Sequence, residues 1–122
     1  MKAGKEHVVP LSASALSILK ELKDAFGAKP SAVIFPGNGG RALSDMTLTK
    51  VLRTDLPGPH TVHVFRSSFR DWAAEQTDFA GDVVEAALAH TIANKVEAAY
   101  RRTNYLDKRK VLMQQWAEFL TA

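Results

Sequence analysis

Pro57-Gly58-Pro59 breaks the chain near its middle, and the segment after it carries a period that only a helix turns into one face. Phe65, Phe69, Trp72 and Ala73 recur at steps of four, three and one from a start at Thr61. Other segments carry the same signature. Ser12 caps a helix with Ala15, Leu19, Leu22 and Phe26 on one side, and Gly27 stops it. Ser44 caps a second helix carrying Leu48, Val51 and Leu52. Asp82 opens a fourth, with Val84, Ala87 and Leu88 inward, that ends near His90. Asn94 and Glu97 form a capping pair for a fifth, which holds Val96 and Tyr100. Leu106, Met113, Trp116, Ala117 and Leu120 give the last helix its apolar stripe.

Two segments read differently. Lys2-Ala3-Gly4-Lys5-Glu6-His7-Val8-Val9-Pro10-Leu11 reads as a hairpin turn and its second strand. Ala32-Val33-Ile34-Phe35 reads as a short buried segment, ended by the loop Pro36-Gly37-Asn38-Gly39-Gly40. The expected architecture is therefore mainly α with a small β-hairpin or sheet element at one end, an α+β fold. A lone strand cannot pair within itself, so residues 1–122 are expected to be the later part of a longer protein.

At 122 residues the chain is one domain or part of one. It has no run near the roughly 18 apolar residues of a membrane span and no signal-peptide pattern at its start. The absence of cysteine excludes a disulfide frame and a thiolate metal site, and fits a reducing cytoplasm. The net charge of +3 says little about partners, but its placement says more. Arg101, Arg102, Lys108, Arg109 and Lys110 crowd one stretch beside Tyr100, a positive patch that would draw DNA phosphates. A solvated helix face is the plain alternative for such a run.

His63 and Arg66, three residues apart, project to the same side of one helical turn. A guanidinium matches two phosphate oxygens, and a cation placed there before reaction stabilises charge that builds in the transition state. The competing role for Arg66 is an ion pair with Asp71 or Glu75. Arg70 is placed better for a carboxylate partner than for a phosphate. His63 suits proton transfer near neutral pH, or else a backbone bond at a helix start. His60 and His63 have the spacing of a metal pair, but no third ligand follows at a sensible distance. His90 either donates to a non-bridging phosphate oxygen or caps a helix C-terminus. Tyr100, ten residues after His90, is either a nucleophile helped by nearby cations or a half-buried helix aromatic. Tyr105 is the rival nucleophile, set in the break at Arg102-Thr103-Asn104.

Thr61-Val62-His63-Val64-Phe65-Arg66-Ser67-Ser68-Phe69-Arg70-Asp71-Trp72-Ala73, and Leu88-Ala89-His90 running into Glu97-Ala98-Ala99-Tyr100-Arg101-Arg102, together resemble the catalytic core of phage-type integrases, members of the tyrosine recombinases. The resemblance runs from the turn at Lys2 to Trp116-Ala117-Glu118-Phe119-Leu120. It implies a tyrosine-recombinase catalytic-core fold and site-specific DNA recombination without metal or nucleotide cofactor. Tyr100 would attack DNA to form a 3′-phosphotyrosyl bond and release a 5′-hydroxyl. His63 and Arg66 match the family's His-x-x-Arg motif, and His90 its later histidine. Lys2 matches the hairpin lysine that protonates the leaving 5′-oxygen, and Lys5 takes that place if the turn register is shifted by a few residues. Lys5, Arg101 and Arg102 would contact DNA.

Implied partners are double-stranded attachment sites and a homotetramer on DNA, within the bacterial cytoplasm and its nucleoid. Two departures stand out. Val64 occupies a position where the family usually has glycine. The family's other catalytic arginine lies upstream of the hairpin lysine, so the chain alone is expected to be nearly inactive. Two further readings stay open: a non-catalytic DNA-binding or interaction module from a decayed integrase, and a metal-free nuclease using His63 and His90.

Overall fold

The computed structural model describes residues 6–27, 33–56, 58–90 and 103–122. The described residues form five α-helices: α1 (Ala13–Phe26), α2 (Thr47–Thr54), α3 (Val62–Gln76), α4 (Gly81–Ala87) and α5 (Leu106–Leu120). The expected mainly helical architecture is observed. No strand occurs among the described residues, where the only β pairing is an isolated bridge between Pro36 and Ala42. The expected strand at His7-Val8-Val9-Pro10-Leu11 runs instead as irregular chain, and its turn at Lys2-Ala3-Gly4-Lys5 lies outside the described residues. The helix expected from Asn94 and Glu97 also lies outside them. No helix among the described residues is long and apolar enough to cross a membrane.

The chain divides into two compact units, Ser14–Ser67 and the combination of Met1–Ala13 with Ser68–Ala122. In the first, α1 stops as its sequence directs. Gly27 takes φ 59, a left-handed conformation that costs glycine little, and its N–H bonds the Lys23 carbonyl at 2.8 Å. Ala15, Leu19 and Leu22 are half-buried along the expected face, while Phe26 is exposed. α2 begins three residues after Ser44, whose hydroxyl lies 3.1 Å from that of Thr47. Only Leu52 of its stripe is buried, and Leu48 and Val51 are exposed. Val33, Ile34 and Phe35 are exposed as well, against the expectation of a buried segment. The reason is local: one bridge closing a glycine-rich turn builds no sheet face against which those side chains can pack.

The second unit holds the better-formed core. Phe69, Trp72 and Ala73 of α3, Val83 and Val84 of α4, Leu88 and Leu112 of α5 form one buried cluster, and α4 packs on α5. Aromatic rings close it. Trp116 meets Phe69 edge-on with centroids 5.5 Å apart, and Trp72 lies 5.0 Å from Trp116. α3 therefore buries the aromatic face read from its spacing, except that Phe65 at its start is exposed.

Candidate functional site

The start of α3 is set by Thr61. Its hydroxyl accepts the Val64 N–H at 3.3 Å and its carbonyl accepts the same group at 3.1 Å. That cap fixes the register, so His63 and Arg66 leave the first turns of the helix three residues apart, both exposed. Backbone N–H groups point outward at a helix N-terminus and its dipole end is positive, which favours an anion. A guanidinium and an imidazole presented there can bind phosphate oxygens. Val64 is exposed too, and the helix runs through it without a break.

The end of α4 sets His90. Ala89 takes φ 57, its N–H bonds the Ala86 carbonyl at 3.1 Å, and the His90 N–H bonds the Glu85 carbonyl at 3.0 Å. This pair of bonds around a left-handed residue is a Schellman ending. Such an ending brings together the side chains of the residue two past the helix cap and the third residue from the helix end. Here those residues are His90 and Glu85, and Nδ1 of His90 contacts Oε2 of Glu85. Glu85 Oε1 also pairs with Arg70 Nη2 at 3.0 Å. Arg70 thus takes the carboxylate role expected for it. Glu85 itself was not singled out from the sequence. The available signal was its five-residue spacing to His90 across a helix end, a pattern without apolar periodicity.

Tyr100, Arg101, Arg102, Lys2 and Lys5 lie outside the described residues. Tyr105, the rival nucleophile, stands at the N-cap of α5 with φ 56, off the helix as expected. Its ring packs against the core cluster, with the Lys108 ammonium 5.9 Å from its centroid. His63 and Arg66 belong to the first unit, His90 and its partners to the second.

The basic stretch needs one correction. Lys108 and Lys110 are exposed, but Arg109 is only 2% exposed. Its guanidinium donates to the Val8 carbonyl at 2.6 Å and to the Asn104 carbonyl at 3.5 Å, with His7 Nε2 at 3.5 Å. It is a structural cation inside the protein and takes no part in a surface patch. His7 is half-buried beside it, and burial first, then the Arg109 charge, hold its imidazole below the usual 6.5.

No three His, Cys, Asp or Glu side chains converge as a metal site among the described residues. His60 lies over Gly58, where an added Cβ would fall 2.7 Å from its Nε2. A shallow cleft of about 380 Å³ is lined by Ser44, Met46, Thr47, Lys50 and Arg53, and holds none of the candidate catalytic or DNA-contacting residues.

Along its whole length the chain is similar to phage and prophage integrases. It is 38% identical over 125 residues to prophage integrase IntA of Escherichia coli strain K12, an alignment covering 100% of this chain and 30% of the relative. It is 36% identical to the integrase of Enterobacteria phage P4, covering 98% of this chain and 28% of that protein. The integrase of Shigella phage Sf6 is 32% identical over 98% of the chain and 31% of its own length. The chain thus spans about 30% of the length of these relatives. No protein-family model and no solved structure matches it.

Proposed function

We propose that this chain, a member of the phage and prophage integrase family by similarity along its whole length, is the C-terminal portion of a tyrosine-recombinase catalytic domain. In the whole protein the reaction is site-specific DNA recombination, the integration or excision of a mobile element. The observation that carries this reading is the similarity to proteins named integrases along a chain that places His63, Arg66, His90 and Tyr100 in that order.

The chemistry follows from the side chains. The Tyr100 phenol has an ordinary pKa near 10, so it needs a proton acceptor and nearby positive charge. His63 takes the phenolic proton as the oxygen attacks phosphorus. The bond from phosphorus to the 5′-oxygen breaks, and Lys2 supplies the proton that oxygen gains. Arg66 and His90 hold the non-bridging oxygens, where charge accumulates. The phosphodiester is exchanged for a 3′-phosphotyrosyl ester of similar energy, so the reaction runs in reverse to rejoin a strand without metal or nucleotide. Lys5, Arg101 and Arg102 contact the DNA backbone. Four copies assemble on paired duplex sites.

The test uses the intact integrase and a nicked suicide duplex carrying its core site, followed by a search for an SDS-resistant protein–DNA band. The band is expected with the unmodified protein and with Tyr105→Phe, and absent with Tyr100→Phe. Confirmed binding without a band would replace this reading by a non-catalytic DNA-binding module. Cut DNA with no protein attached would point to a nuclease using His63 and His90.

A further inference from the structure

Glu85 reaches three groups at once. Its carbonyl accepts the His90 N–H, its Oε2 contacts His90 Nδ1, and its Oε1 pairs with Arg70 on α3. We infer that Glu85 is a positioning residue for His90, holding the imidazole so that Nε2 is the edge offered to a DNA phosphate. The inference rests on the phosphate-binding role proposed for His90.

The argument starts from the two nitrogens of the ring. An ionised carboxylate only accepts hydrogen bonds, so the nitrogen that faces Glu85 is a protonated Nδ1. That leaves Nε2 as the outward edge, whichever proton state it holds. A histidine just past a helix end would otherwise rotate about two side-chain bonds, and a phosphate would meet several ring orientations. Fixing the ring before substrate arrives removes that conformational cost from the reaction.

The main chain contributes as much as the carboxylate. The Schellman ending pins the His90 backbone to Glu85, so both ends of the imidazole's tether refer to one residue. Arg70 completes the arrangement by occupying Oε1, which leaves Oε2 for the ring. The side chains of His90 and Glu85 are 33% and 31% exposed, enough for a ligand to reach the ring while its orientation is set from beneath.

A purely structural role for Glu85, stitching α4 to α3, makes different predictions. Two measurements on the intact integrase separate them. The first is a double-mutant cycle on the initial rate of covalent adduct formation, using Glu85→Ala, His90→Ala and the pair. Glu85→Ala is expected to lower the rate roughly tenfold or more, because a small misplacement of a reacting group is costly. In the His90→Ala background the same change is expected to have less than a twofold effect, because the group it acts through is gone.

The second measurement is nitrogen-15 NMR of the labelled histidine rings. The His90 signals should show a protonated Nδ1 in the unmodified protein and move toward the Nε2–H tautomer in Glu85→Ala. Glu85→Gln, which keeps the shape, replaces Glu85→Ala in both measurements if the smaller residue prevents folding. Full multiplicative loss in the His90→Ala background, or unchanged His90 ring signals, would overturn the inference. If the unmodified protein forms no adduct, or Tyr100→Phe still forms one, the strand-transfer reading fails instead. The ring signals then still report whether Glu85 orients His90.

Discussion

Arg109 donates from Nη2 to the carbonyl oxygen of Val8 at 2.6 Å, across a separation of 101 residues. A buried guanidinium retains its charge, so the bond persists at any pH the fold survives, and its loss leaves a carbonyl without that donor. Arg109→Ala is expected to destabilise the protein by about 2 to 4 kcal/mol in urea denaturation. Because Arg109 is enclosed, the salt dependence of DNA binding should be unchanged in the folded variant. Lys108→Ala is expected to act oppositely, leaving stability nearly intact while lowering the slope of log affinity against log salt by about 1. A reduced slope in Arg109→Ala would return that residue to the surface patch.

His7 adds a pH dependence to the same contact. Its imidazole is held below 6.5 in the folded chain, by burial and then by Arg109, so the unfolded chain binds the proton more readily. Its contribution to stability is therefore complete above pH 6.5 and declines as pH falls below that value toward the folded-state pKa. The urea midpoint of the unmodified protein should fall relative to that of His7→Gln as pH drops from about 8 to about 5, since the variant has no proton to take up. Parallel curves across that range would show that the titration of His7 is not coupled to folding.

How much of this was legible in the sequence depends on the kind of contact. Helices were legible wherever apolar residues kept a 3.6-residue period, as at Phe69, Trp72 and Ala73, because burial itself imposes that period. What covers a face was not legible: Phe65 continues the same stripe and is exposed. Arg109 was misplaced because arginine is rarely enclosed, and the carbonyl that justifies its burial lies at the other end of the chain. Within the candidate site, His63 and Arg66 were legible as a pair on one helical turn. The Glu85 contact to His90 was not, because it depends on Ala89 adopting a left-handed conformation, which an alanine does not announce.

Leu112 is 0% exposed and lies in the core cluster with Trp72 and Val84, although the stripe read for α5 passed it by. Truncation removes buried carbon and leaves a cavity that close-packed aromatic neighbours cannot fill. Leu112→Ala is expected to cost about 2 to 5 kcal/mol by urea denaturation. Leu120→Ala, at an exposed position of the expected stripe, should change stability by about 0.5 kcal/mol or less. The reverse ranking would put Leu120 rather than Leu112 on the α5 core face beside Trp116 and Ala117.

Ala89 bears the strain of the turn that delivers His90. A non-glycine residue in the left-handed region is disfavoured by about 1 to 2 kcal/mol, and glycine relieves this while losing more chain entropy on folding, about 0.5 to 1 kcal/mol. Ala89→Gly is therefore expected to stabilise the protein by up to about 1.5 kcal/mol in urea denaturation. Since the ending keeps its two backbone bonds, the Glu85 contact to His90 should persist and the nitrogen-15 signals of the His90 ring should stay unchanged. Ala89→Val tests the same geometry from the other side. A β-branched residue is a poor occupant of φ 57, so it should unwind the ending, lower stability and release the ring from Glu85. A stabilising Ala89→Val, or a destabilising Ala89→Gly, would show that α4 ends in some other way.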